Sequence, residues 1–237
     1  MILLLDSMKN IVIRKSNDRG YFHHGWLETY HTFSFADYYD PEFIGFGNLR
    51  VINDDVVLPN NGFGLHPHKN MEIVTYIIDG VLTHTDNLGN KEEIKTGEVQ
   101  VMSAGSGITH SEWNYGDKPC HLLQIWIKSK QIGGDPSYKI YKVDHFEKWG
   151  LIASGFEEKS TVKIKQDAEI YLINSGSLIE IDLPDSNSKM RWIHVAAGEI
   201  EIENITLRAG DAIGFTSNEY NKNIKFNLES RVLVFYI

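Results

Sequence analysis

Short runs rich in Val, Ile, Tyr, Phe and Trp, each cut within a few residues by Gly, Asn, Asp or Pro, restrict this chain to an all-β fold. β-Branched and aromatic side chains suit a pleated, half-buried surface, and the punctuating residues supply the turns. The clearest strands are 48–52, 72–78, 80–86, 98–103 and 121–128, then 168–173, 178–183, 192–196, 200–205, 212–216 and 232–236. Asp79-Gly80 and Leu88-Gly89-Asn90 are turn chemistry between strands. Helical periodicity is weak; only 144–149 suggests a short turn or helix, with Asp144 as its N-cap.

The strands fall into two sets. Residues 131–141 turn polar and glycine-bearing, with Gly133-Gly134-Asp135-Pro136 at their centre, and read as the connection between halves. The halves echo one another: Asp79-Gly80 leads through a hairpin to Gly97-Glu98, and Ala197-Gly198 leads through another to Gly210-Asp211. This self-similarity points to a duplicated barrel, with one domain over 1–135 and a second over 136–237. A chain of 237 residues is long enough to bury a core in each.

Charge narrows the function. With 32 acidic against 23 basic side chains the net charge is −9, and no basic stripe interrupts it, which argues against direct nucleic-acid binding. The one cysteine, Cys120, rules out an intrachain disulfide framework, fits a reducing cytoplasm and reads as a small buried strand residue. Residues 2–5 are apolar but too few for a signal sequence or membrane span, and Met8 is a second candidate start.

Chemistry enters with two x-spaced pairs, His66-Pro67-His68 and His110-Ser111-Glu112. Residues i and i+2 of a strand face the same way, so each pair can reach one point. Three imidazoles and a carboxylate suit a divalent transition metal, with coordination positions left open for a ligand. Spacing does not choose among iron, zinc, nickel, copper, manganese and cobalt. A single strand histidine is ordinarily structural; His23, His24, His31, His84, His121, His145 and His194 are read that way. Gly105 and Gly107 lack a following Gly-Lys-Ser/Thr, so they suit a turn aiming His110 inward rather than a phosphate loop. Trp113, Trp126, Phe63, Met71 and Met102 are candidates for apolar walls.

The wider spacing is more specific. His66-x-His68-x-x-x-Glu72, then Gly80, then Gly97 through Gly105-Ser106-Gly107-Ile108-Thr109-His110 and Asn114, resembles the two motifs of the cupin superfamily; Ser103 stands where proline is usual. The blocks 66–76, 100–112, 31–41 and 51–55 resemble the pirin family, most of all its bacterial quercetinase-type members. That resemblance implies a bicupin, two face-to-face jelly-roll β-barrels, with metal only in the first. On a regular strand Glu72 shares the face of His66 and His68, so parity leaves either Glu72, the position cupins in general use, or Glu112 as the carboxylate ligand. The pirin resemblance implies His66, His68, His110 and Glu112 as ligands, iron foremost, and assigns Glu72 the task of orienting a histidine N–H. The implied activity is a metal-dependent dioxygenase that opens a flavonol such as quercetin, or a related enediol, with O2 and releases carbon monoxide. Glu112 would then also serve as the catalytic base for the 3-hydroxyl proton. The family's alternative role is a redox-sensing regulatory binding protein. A monomer suffices for either, since one chain pairs its own barrels.

Overall fold

The computed structural model describes residues 10–142, 149–157, 159, 161–217 and 222–237. The turn or helix expected at 144–149 (all but Trp149), His145 and both candidate starts lie outside these residues. A 3-10 turn at Ser16–Asp18 is the one helical element among the described residues.

The first strands in chain order are β1 (Ile11–Arg14), β2 (Gly20–His23), β3 (Leu27–His31), β4 (Leu49–Val57), β5 (Asn61–His68) and β6 (Met71–Asp79). Then come β7 (Val81–Asp86), β8 (Lys91–Lys95), β9 (Val99–Ser103), β10 (Ile108–Asn114), β11 (Cys120–Lys128) and β12 (Ser137–Tyr141). The second half holds β13 (Gly150–Ser154), β14 (Val162–Lys163), β15 (Glu169–Asn174), β16 (Glu180–Asp182) and β17 (Arg191–Ala197). It ends with β18 (Glu199–Ile202), β19 (Ile205–Arg208), β20 (Ala212–Phe215), β21 (Asn223–Phe226) and β22 (Arg231–Tyr236).

These strands form the expected pair of barrels. The first combines a seven-stranded sheet, β12-β9-β6-β11-β4-β3-β2, with a four-stranded one, β5-β10-β7-β8. The second repeats the plan with β1-β20-β17-β22-β15-β13-β14 and β16-β21-β18-β19. Two strands cross over. β1, from the start of the chain, pairs with β20 of the second barrel, and β12, inside the stretch read as a connection, pairs with β9 of the first.

Alternation along the strands divides the core. Val74, Tyr76 and Ile78 of β6 and Leu123 and Ile125 of β11 meet Leu172, Trp192, Leu233 and Phe235 in one cluster between the two large sheets. The opposite parity, Ile77 and Leu122, packs inside the first barrel with Leu82 and Ile94. The large sheets therefore stack back to back, and each barrel keeps its own interior.

The duplication is visible in the backbone. Gly80, Gly97, Gly198 and Gly210 all have φ between 83° and 93°. Gly97 N–H donates to Ile77 C=O (2.9 Å) and Thr96 N–H to Gly80 C=O (3.0 Å). Gly210 N–H donates in the same way to Val195 (2.8 Å), and Ala209 N–H to Gly198 (3.1 Å). One expectation fails here. Residues 200–205 are not a single strand, because Glu203 and Asn204 sit at φ 53° and 60° and turn the chain between β18 and β19. Two left-handed residues make the tight hairpin turn whose twist matches the strands, and no glycine marks it in the sequence.

Candidate metal centre

β5 and β10 are antiparallel neighbours, with His66 opposite His110 and His68 opposite Ile108. The ring nitrogens of His66, His68 and His110 lie within 4.8 Å of one another. Between His110 and Glu112 the register slips: Glu112 faces Phe63, so β5 carries one extra residue at Gly64-Leu65. The bulge turns the Gly64 carbonyl onto His66 Nδ1 at 2.7 Å. His66 therefore keeps its proton on Nδ1 and presents Nε2 as a lone pair. Pro67 is tolerated because β5 is an edge strand. Gly62 is required at its position: a Cβ there would come within 2.2 Å of the Glu112 carbonyl oxygen.

A second chain of bonds fixes His110. β7 lies on the other side of β10, with Asp86 opposite His110 and His84 opposite Glu112. His84 Nε2 is 2.9 Å from Asp86 Oδ2, and His84 Nδ1 is 3.3 Å from His110 Nδ1. The carboxylate holds the His84 proton on Nε2, so Nδ1 accepts from His110 Nδ1–H. That leaves His110 Nε2 as a buried lone pair with no partner among the described residues. Although burial raises the Asp86 carboxyl, hydrogen bonds from Asn90, His84 and Leu88 hold it below the usual range. The Leu88-Gly89-Asn90 turn read from the sequence is thus what secures this relay. Tyr138 stacks on His84 at 4.3 Å.

Burial, with the neighbouring His110 and His66 rings, pulls His68 down to about 4. Burial and the rings of His66 and His84 pull His110 down to about 3. Both stay neutral near pH 7, the state in which imidazole binds metal.

Glu112 is buried and gripped from β6, β9 and β11. Gln100 Nε2 donates to Oε1 (3.0 Å), Gln124 Nε2 to Oε2 (2.8 Å), and the Thr75 hydroxyl lies 3.3 Å from Oε1. Register makes this belt: Thr75 is opposite both Gln100 and Gln124, and Gln124 opposite Asn53. Glu112 forms a second potential ligand group with His84 and His110. His110 belongs to both groups, which join at that ring. The donor set fits a divalent transition metal: three imidazoles, two of them with Nδ1 engaged so that Nε2 is the free ring nitrogen, and a carboxylate oriented by amides.

Glu72 is a correction. It does not orient a histidine; its Oε1 accepts from the hydroxyls of Ser103 (3.1 Å) and Ser129 (2.5 Å). β5 and β6 belong to different sheets, and Asn70 between them turns at φ 54°, so parity does not carry from His68 to Glu72. Glu72 shares the outer face of β6 with Val74, away from Thr75. His84 is the converse correction, touching a candidate ligand where a structural histidine is expected. His-x-Asp on a strand beside the His-x-Glu strand was the available signal. His23 and His24 are exposed. His31 packs between Phe22 and Phe35 (both 5.2 Å). His121 bonds Asp54 (2.6 Å) on the outer face. Cys120 is buried as expected, and burial pushes its thiol up to about 12.

The cluster opens into a cavity of about 420 Å³. His66, His68 and Glu112 lie on one side, and Trp26, Phe35, Phe63 and Trp126 form aromatic walls. Trp26 meets Phe63 edge-on at 5.3 Å, and Phe35 meets Trp126 at 5.4 Å. Of the expected wall residues, Phe63 and Trp126 line it; Met71 and Met102 pack in a neighbouring cluster, and Trp113 lies tilted against Tyr115 at 6.1 Å. Among the described residues the second barrel has no such belt. The shared turn geometry equates Val195 with Ile77, so Ile193 and Val234 stand where the first barrel has Thr75 and Gln124.

Fold and site together define a two-barrel cupin with a histidine-rich centre in its first barrel. Residues 12–127 match the pirin family and residues 151–237 match the quercetinase C-terminal cupin domain. The chain is 41% identical over 230 residues to a quercetin 2,3-dioxygenase of Escherichia coli K12, covering 95% of this chain and 97% of that one. It is 43% identical to a pirin-like protein of Caulobacter vibrioides, over 86% of this chain and 90% of that one. It also superimposes on the crystal structure of the bacterial pirin YhhW from Escherichia coli in complex with nickel(II), with TM-score 0.87, 40% identity and coverage of 95% and 97%. The chain belongs to the pirin family.

Proposed function

We propose that this protein is a metal-dependent quercetin 2,3-dioxygenase, cleaving a flavonol with O2 and releasing carbon monoxide. The observation that carries the reading is three clustered histidine rings and a buried, amide-held glutamate beside an aromatic-walled cavity. Relatives named for this activity and a nickel-bound relative support it.

His66, His68, His110 and Glu112 would hold one divalent transition metal ion. Bound there, the metal would supply Lewis acidity that favours the enolate form of the substrate. The protein does the rest. Trp26, Phe35, Phe63 and Trp126 accept a planar aromatic body and exclude water from it. Glu112 takes the 3-hydroxyl proton, and Gln100, Gln124 and Thr75 keep its oxygens aimed while it does so. The Asp86–His84 pair holds the proton of His110 on Nδ1 and keeps its ring in place.

The test is metal-free protein reloaded anaerobically, then given quercetin and O2. Metal-dependent loss of the flavonol absorbance with carbon monoxide release is expected. Metal-replete protein that turns over no flavonol would refute the assignment.

A further inference from the structure

Asn53 and Asp55 alternate on β4 with Ile52, which packs between the large sheets, and Asp54, which binds Arg19 and His121. Both therefore point into the first barrel, where they line the same cavity as His66, His68 and Glu112. Both are buried, at 5% and 3% exposure. Neither the Asn53 Oδ1 nor the Asp55 Oδ1 accepts a hydrogen bond within the described protein. Gln124, the neighbour of Asn53 across the sheet, already spends its amide on Glu112. Two buried acceptors side by side on a cavity wall are costly unless a donor arrives with the ligand.

The surroundings say what the donor is attached to. Trp26 and Phe63 stand at 76° to each other, and Phe35 and Trp126 at 90°, which leaves ring faces and edges for a flat apolar body. Oxygen acceptors beside such walls match hydroxyl groups on an aromatic ring. Burial pushes the Asp55 carboxyl up to about 7, against the Thr29 hydroxyl opposite it on β3, which lowers it; the carboxyl accepts from a hydroxyl in either protonation state.

We propose that Asn53 and Asp55 form a hydroxyl-recognition subsite that takes the phenolic hydroxyls of the substrate's pendant ring while its reacting ring faces the histidines. This rests on the flavonol reading and adds to it a preference for polyhydroxylated pendant rings. Asn53 and Asp55 are specificity residues here, with no part in the bond-breaking step.

Binding is measured on metal-loaded protein without O2, so turnover does not intervene, by quenching of tryptophan fluorescence. The probes are quercetin, the flavonol galangin (which lacks the pendant-ring hydroxyls) and 4-methylcatechol. Wild type is expected to hold quercetin about tenfold or more tightly than galangin, the range of a hydrogen bond to a buried polar group. Asp55→Leu and Asn53→Leu are expected to bring the two affinities together without lowering Tm, and Asp55→Asn to retain part of the preference. Equal affinities in wild type, or an unchanged preference in correctly folded variants, would overturn the subsite even if quercetin is turned over. Binding of 4-methylcatechol that is lost in the variants, with neither flavonol bound, would uphold the subsite and refute the flavonol reading. No binding of any probe would refute both.

Discussion

His194 sets a measurable limit on acid stability. It lies on β17 with the parity of Trp192 and Ala196, facing the core between the two barrels. It is 0% exposed, and neither ring nitrogen has a hydrogen-bond partner among the described residues. Burial, reinforced by the Arg19 charge and opposed by Asp54 and Asp211, pulls it from 6.5 down to about 3. Its pKa is lowered in the fold, so between those values the unfolded chain binds a proton that the folded chain refuses. Stability is therefore lost as pH falls through 6.5 toward 3. Each pH unit in that window costs about 1.4 kcal/mol, so acidifying from pH 7 to pH 5 costs about 2 kcal/mol through this residue alone. His194→Leu removes the titrating group and an unpaired polar side chain together. Denaturant unfolding of metal-free protein at the two pH values, with equal slopes for both proteins, gives the comparison. His31, His68 and His110 are depressed in the same direction but are common to both, so they cancel. The variant is expected to lose about 2 kcal/mol less than wild type between pH 7 and pH 5. Equal losses would refute the reasoning.

Other perturbations probe the centre. Gly62→Ala drives a methyl group against the Glu112 backbone, so a loss of about 1–3 kcal/mol is expected with weakened metal binding, by thermal unfolding and metal titration. His84→Phe preserves the ring against Tyr138 but removes the acceptor for His110 and the partner of Asp86; metal affinity is expected to fall about 10- to 100-fold in competition with a chelator, with a lower Tm from the buried polar groups left unpaired. Glu72→Gln leaves metal stoichiometry unchanged by elemental analysis, because its partners are Ser103 and Ser129. Loss of metal in that variant would mean Glu72 reaches the centre.

Local pattern carried part of this site and register the rest. His66-x-His68 is legible because two residues on one strand share a face whatever the strand pairs with. Thr75, Gln100 and Gln124 come from three strands and meet at Glu112 only through the β9-β6-β11 register, which no single stretch encodes. The same holds for His84 and Asp86, ordinary on β7 until β10 is laid beside it. Glu72 was misplaced because parity was carried through Asn70, where the chain leaves one sheet for another. The turn at Glu203-Asn204 escaped because left-handed residues without glycine leave no mark. Asn53 and Asp55 stand in a block that carries the family resemblance, and only the closed barrel shows that they face the cavity.

The central claim is where the metal sits, because His110 is shared by two groups of potential ligands. Anomalous diffraction at the metal edge from a metal-loaded crystal decides it. A single peak within bonding distance of His66, His68, His110 and Glu112, with His84 outside it, is the predicted result. A peak bonded to His84, or none near His66 and His68, would contradict the account.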